Sequence, residues 1–216
     1  MAKRPGKSNL IAEQYRLFET HYPNPVTELT YDSSFQLLVA VILSAQCTDA
    51  RVNQVTPILF KKYPNANALS HAKLSHVEKI IHSCGFYRNK AKNIVHMASD
   101  LENRFDGKIP NTLEELVTLS GVGRKTASVV LNQAYDQPAI AVDTHVFRVS
   151  HKLGWAKGKT PEKVEFELRD LFPPHQWGKI NGMLILHGRK LCKARSPLCQ
   201  KCFLNKTCPS YRNSEA

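Results

Sequence analysis

Long apolar runs are missing from this 216-residue chain. The longest, LLVAVIL at residues 37–43, falls far short of the ~20 residues a membrane-spanning helix needs. No apolar core follows the basic start MAKRPGKSNL, so no secretory leader is expected and residence in the cytosol is. Runs that alternate apolar and polar residues are scarce, which argues against sheet. Acidic residues are absent from Leu171 to Ser214, where Lys179, Arg189, Lys190, Lys193, Arg195, Lys201, Lys206 and Arg212 all stand. Over the whole chain 30 Lys and Arg oppose 18 Asp and Glu, a net charge of +12. Clustered positive charge favours a polyanionic partner, nucleic acid foremost, over a merely solubilising face or attraction to a membrane surface. With 42% apolar residues the chain has the makings of a packed core and is not disordered.

What is present is a series of short helical patterns with start and stop signals. Ser33 or Ser34 is placed to cap a helix through FQLLVAVILSAQ, and Thr48 or Asp49 the next. Ser75 with Glu78, and Thr112 with Glu115, have the spacing of capping boxes. Gly85 stands where a glycine would end the helix after Ser75, and Asp106-Gly107 stops NKAKNIVHMASDLENRF. Thr160-Pro161 opens a helix with proline at its favoured first position, FPPH breaks it, and a last helix covers Trp177 to Leu191. The expectation is an all-α protein of many short helices. CGFYRNKA at 84–91 also echoes SGVGRKTA at 120–127, as two helix–tight turn–helix units.

Six cysteines are present, four of them at the end: Cys192, Cys199, Cys202 and Cys208, spaced C-x6-C-x2-C-x5-C. Clustered thiols in a cytosolic chain point to a metal. Four thiolates suit tetrahedral zinc or an iron–sulfur cluster. A single close pair with wider outer gaps fits a cubane better than two zinc knuckles, with zinc and a redox-active disulfide as alternatives. Cys47 and Cys84 stand apart from these and read as small buried apolar residues.

LSGVGRKTASVV, residues 119–130, places Gly121 and Gly123 before Arg124, Lys125 and a helix. Glycines allow a tight turn and close approach of the backbone, and a helix start offers N–H donors to an anion such as a DNA phosphate. A plain corner between two helices is the bland alternative. Downstream, Asp143 in AIAVDTHVFRV reads first as a helix N-cap. His145 and Arg148 read as first-turn polar residues placed for phosphate contact.

Taken together, LSGVGRKTASVVLNQAYDQPAIAVDTHVFRVSHKLG, LLVAVILSAQCTD, LILHGRKLC and the terminal cysteines resemble bacterial endonuclease III. That family is the helix–hairpin–helix DNA glycosylase/AP lyase with a [4Fe-4S] cluster, and the resemblance runs from about Glu13 to Cys208. It implies two helical lobes: a six-helix barrel with the hairpin at 27–137, and a cluster lobe from 1–26 and 138–216, with the active-site cleft between them. It implies a bifunctional enzyme of base excision repair that removes oxidised pyrimidines and cuts 3′ to the abasic site by β-elimination. Lys125 would be the nucleophile that forms a Schiff base, and Asp143 the carboxylate that assists it. Only a neutral amine attacks, which calls for surroundings that disfavour the ammonium. Gln46 would fill the gap left by the flipped nucleotide and Phe86 would be a wedge, against the bland alternatives of a helix-end polar residue and hairpin core. Asp49 would lie near the active site, unless it is only a cap. Gly121, Gly123, Arg124, Lys193 and Arg195 would meet phosphates. Cys192, Cys199, Cys202 and Cys208 would hold the cluster in a structural role. The partner would be duplex DNA carrying damaged pyrimidines or abasic sites, met by a monomer in the bacterial cytosol or nucleoid.

Three positions depart from the family pattern: Ser120 where relatives often have proline, Val117 where some have glutamate, and Cys47 where alanine is common. Two rival functions share much of the pattern. A monofunctional glycosylase of the same superfamily would lack the lysine at position 125, and a non-catalytic DNA-binding or redox module would leave the Lys125 and Asp143 pairing unexplained.

Overall fold

Side-chain oxygens start six of the twelve α-helices among the described residues. The computed structural model describes residues 7–212, and every regular element among them is helical. In chain order these are α1 (Lys7–His21), α2 (Ser34–Ser44), α3 (Asp49–Lys62), α4 (Ala66–Ser70), α5 (Leu74–Ile81), α6 (Tyr87–Phe105), α7 (Leu113–Leu116) and α8 (Arg124–Tyr135). Then come α9 (Thr144–Lys152), α10 (Pro161–Leu171), α11 (Trp177–Lys190) and α12 (Pro209–Arg212), with short 3-10 turns at Pro174–Gln176 and Cys199–Lys201. Ser33, Thr48, Thr112 and Thr160 each accept a first-turn N–H at the N-cap, of α2, α3, α7 and α10 respectively. Among the described residues no helix is long and apolar enough to cross a membrane.

The chain forms two compact units. One is Glu28–Ala139 and holds α2 to α8 among its described residues. Its centre is α2, buried on all sides from Leu37 to Leu43, which is why LLVAVIL shows no polar face. α3, α6 and α8 pack against it. The other unit joins the chain up to Thr27 with the chain from Ile140 onward, and holds α1 and α9 to α12. Its core gathers Phe18, Trp155, Leu168, Ile180 and Leu184. Gln14 ties this unit's two chain segments together, donating to the Thr207 carbonyl at 2.9 Å and accepting from the Trp155 indole. The outermost residues assigned to the cluster lobe, 1–6 and 213–216, lie outside the described residues.

Two local expectations fail in the same place. The Ser75–Glu78 capping box is absent: α5 already starts at Leu74, with Lys73 at its N-cap and no side-chain bond. Leu74, Val77 and Ile81 face the core with helical spacing, so packing sets this start and overrides the cap signal. Gly85 does not end that helix. α5 stops at Ile81, the Cys84 N–H bonds the Ile81 carbonyl at 2.8 Å, and Phe86 takes the left-handed conformation instead, at φ +57°.

Candidate active site and nucleic-acid interface

The hairpin before Lys125 is built from below by α6. Thr112 caps α7 by accepting the Glu115 N–H at 3.3 Å, and its hydroxyl donates to the returning Glu115 carboxylate at 2.7 Å, so the pair expected there meets through the hydroxyl. Leu119 and Val122 are buried and pin the turn, and the Val122 N–H returns to the Leu119 carbonyl at 3.1 Å. Gly121 stands at φ +76°, and a Cβ there would lie 2.7 Å from the Asn93 Cβ on α6. Both the backbone and the space therefore demand glycine. Gly123 differs: its backbone is extended and a Cβ would meet nothing within 4 Å. It is the N-cap of α8 and has no side chain to cap with, so the helix start faces open space. Ser120, the departure from proline, has its own partner. Its N–H and hydroxyl both donate to the Asp100 carboxylate, at 2.9 and 2.8 Å.

Lys125 is the second residue of α8 and is exposed. The desolvated setting expected for it is thus not present in the free protein, because its position on the first turn points the chain at solvent and not at the α2 core.

Gln46 and Phe86 each occupy a left-handed turn, at φ +53° and +57°. A non-glycine residue there is strained by of order 1–2 kcal/mol. The two turns touch within the Glu28–Ala139 unit: a Cβ on Gly85 would sit 3.5 Å from the Gln46 carbonyl oxygen. Phe86 is 66% exposed, which excludes the core-packing alternative for its ring. Gln46 is exposed as well. Asp49 is the first residue of α3, and Thr48 is the cap.

Asp143 and Lys125 belong to different units. Asp143 caps α9, with Oδ1 accepting the His145 and Val146 N–H groups, both at 2.8 Å. The N-cap role is therefore real, and it holds the carboxylate at the head of α9. Arg148 corrects an expectation. It is not turned outward for a phosphate but bonds inward, to the Cys192 carbonyl at 3.0 and 3.1 Å, the Gly188 carbonyl at 3.1 Å and the Thr144 carbonyl at 3.3 Å. It so joins α9 to the end of α11 and the first of the clustered cysteines. A pairing more than forty residues apart leaves no local sequence signal.

Cys192, Cys199, Cys202 and Cys208 line one cavity, with Val149, Leu153 and His187 among its other walls. Among the described residues no three His, Cys, Asp or Glu side chains gather so as to hold a metal ion. Burial raises the Cys192 thiol, with Arg148 acting the other way, and pushes Cys202 up to about 11, with the Leu204 N–H opposing. The other three thiols raise Cys202 further, which marks the four as one electrostatic group. His187 lies 3.6 Å from the Cys202 sulfur through Nε2, and its buried Nδ1 has no partner. Lys193 and Arg195 stand exposed on the loop between the first two cysteines.

Cys84 is the small buried apolar residue expected from sequence, whereas Cys47 packs against the same core and is only partly covered. Burial of Cys84, with Cys47 adding to it, pushes the Cys84 thiol up to about 11. Thirty-seven positions separate them in sequence, and the two turns that carry them lie against each other.

Sequence and fold comparisons agree on one family. The model for HhH-GPD superfamily base excision DNA repair proteins matches residues 39–174. The chain is 46% identical to endonuclease III of Synechocystis sp., over 99% of this chain and 98% of that one. A solved structure of a trapped covalent endonuclease III–DNA intermediate superposes with TM-score 0.92 at 39% identity, covering 98% of this chain and all of that one (100%). A non-covalent endonuclease III–DNA complex gives TM-score 0.92 at 40% identity, covering 98% and 99%. The chain therefore belongs to the HhH-GPD superfamily of base excision DNA repair proteins and, within it, to the endonuclease III family. Its activity class is the family's, DNA glycosylase and AP lyase.

Proposed function

We propose that this enzyme removes oxidised pyrimidines from duplex DNA and cleaves 3′ to the resulting abasic site through a Schiff base on Lys125. The observation that carries the assignment is Lys125 itself: an exposed amine on the first turn of a helix whose uncapped start follows a glycine turn, in a member of the endonuclease III family. A 39%-identical relative has been trapped in a covalent intermediate with DNA.

The chemistry follows from the amine. A damaged base inside a duplex is out of reach and must be flipped out. The Lys125 amine adds to the sugar C1′, the glycosidic bond breaks, and the base leaves with the bonding pair and gains a proton. Loss of the ring oxygen from C1′ gives the protonated imine. That electron sink acidifies the C2′ hydrogen, and its removal expels the 3′ phosphate. Asp143 accepts a proton or balances positive charge at the sugar in these steps. Bound DNA excludes water from Lys125, which supplies the desolvation missing in the free protein. Gln46 and Phe86 enter the duplex from their two turns, which accounts for exposed side chains held at strained positions. Gly121, Gly123 and Arg124 receive phosphate, and Lys193 and Arg195 another stretch of backbone.

The four clustered thiols are suited to a [4Fe-4S] group: they share one cavity, and Arg148, which bonds the Cys192 carbonyl, sets a positive charge beside the first of them. Bound there, it would contribute no bond chemistry and would order the loop carrying Lys193 and Arg195. Purified protein is expected to be brown and to contain iron and sulfide in equal amounts. The enzyme is assigned as a monomer of the bacterial cytosol.

Borohydride trapping tests the assignment. A duplex bearing an oxidised pyrimidine should give a covalent adduct with the native protein and none with Lys125→Ala. Base release without an adduct would place the chain with monofunctional glycosylases, and binding alone with non-catalytic modules.

A further inference from the structure

Away from the groups used above, one histidine makes contacts that a single protonation state satisfies. His151 stands in the last turn of α9, in the unit that holds α1 and α9 to α12, and is half-buried. Its Nδ1 lies 2.7 Å from the Phe147 carbonyl oxygen and its Nε2 3.0 Å from the Gly158 carbonyl oxygen. A backbone carbonyl only accepts, so each contact calls for an N–H on the ring. Neutral imidazole carries one N–H, and its other nitrogen would turn a lone pair on an oxygen. The imidazolium carries two and meets both. Two further features suit the cation. The ring stacks on that of Phe147 with centroids 4.4 Å apart, and it stands at a helix C-terminus, where the dipole favours positive charge.

The Gly158 carbonyl is held in place from its other side. The Glu167 carboxylate, on α10, accepts the Lys157 and Gly158 N–H groups at 2.7 and 2.9 Å. A Cβ on Gly158 would lie 2.6 Å from the Lys163 Cβ, so the loop is pressed onto the first turn of α10. The charged groups around the ring are thus Glu167, which favours the cation, and Lys152, Lys157, Lys159 and Lys163, which oppose it from exposed positions where water screens them. α11 meets α9 nearer its head, at His145 and Arg148, and the Arg148 guanidinium bonds the Gly188 and Cys192 carbonyls. Of the charged groups of α11 itself, His187 lines the cysteine cavity, Lys190 lies over the Tyr22 ring and Arg189 is exposed.

We propose that His151 is a proton-operated clamp on the 154–159 loop: doubly protonated, it ties the Gly158 carbonyl to the tail of α9, and on losing a proton it lets go. The Nδ1–H bond to Phe147 lies within one helical turn and survives the loss, whereas the Nε2 bond crosses to the loop and does not. A proton bound more tightly in the folded chain than in the unfolded one stabilises the fold at low pH, and that contribution is lost as pH rises. The clamp sets how Lys157 and Lys159, both exposed on the loop, are presented. It is independent of the chemistry assigned to Lys125.

The test uses the full-length holoprotein with nitrogen-15 in its histidines. At about pH 7 the His151 ring, identified by its contacts to the Phe147 ring protons, should show two protonated nitrogens. One protonated and one bare nitrogen at that pH would overturn the proposal. Hydrogen exchange read by mass spectrometry follows the clamp itself. Protection of the amides of residues 154–159, corrected for the pH dependence of free amides, should fall about tenfold from about pH 6 to about pH 9 in the native protein. In His151→Gln it should stay level, at the value the native protein reaches at the high end. An equal fall in His151→Gln, or no fall in the native protein, would contradict the clamp. The ring spectrum and the native pH series decide the matter even where the variant does not fold.

Discussion

Two turns with matching sequences, CGFYRNKA and SGVGRKTA, do opposite things. Each leads into a helix, α6 or α8, and each contains one left-handed residue. In the second turn that residue is Gly121, a Cβ there is excluded by Asn93, and what reaches the surface is backbone. In the first the glycine, Gly85, is not the left-handed residue; Phe86 is, and a 66% exposed aromatic ring reaches the surface. Shifting the left-handed position by one residue thus changes the product of the turn. One turn offers N–H groups, suited to phosphate, and the other an apolar wedge, suited to a gap in stacked bases.

The largest expected effect is at Gly121. Gly121→Ala should cost about 2–4 kcal/mol in a denaturant titration, from the left-handed backbone plus the clash with Asn93. Adding Asn93→Gly, judged against the Asn93→Gly single variant, should return the clash portion only. A full return would mean that the backbone conformation of this turn matters little. Phe86 should behave in reverse. Phe86→Gly should stabilise by about 1 kcal/mol by relieving the left-handed strain, while affinity for an abasic-site duplex falls by about tenfold. Loss of both stability and affinity would show that the ring supports the fold. The smallest stability change is expected at Gly123. Gly123→Asp should stabilise α8 by at most about 1 kcal/mol by supplying a cap and a charge that suits the helix dipole. Its carboxylate should also weaken DNA binding, with a lower salt dependence of what remains. Unchanged binding would remove phosphate from this helix start.

The contrast between the turns also shows what sequence could and could not reveal. The S-G-V-G string, and the caps at Ser33, Thr48, Thr112, Thr160 and Asp143, were legible because their chemistry is complete within a few residues. The start of α5 was not, because core packing of Leu74, Val77 and Ile81 outweighs an available serine. The Ser120–Asp100 bonds and the Arg148 bonds to the Gly188 and Cys192 carbonyls are long-range, and no motif announces them. Lys125 was legible as a candidate through its motif and family resemblance, but its exposure was not, since that depends on where α8 lies against α2.

The central claim is that one particular amine, Lys125, forms the bond to DNA. The most direct measurement is peptide mapping of the borohydride-reduced adduct formed on an abasic-site duplex. The sugar remnant is expected on Lys125 alone, where it also blocks tryptic cleavage after that residue. A remnant on the N-terminal amine or on any other lysine would contradict the claim.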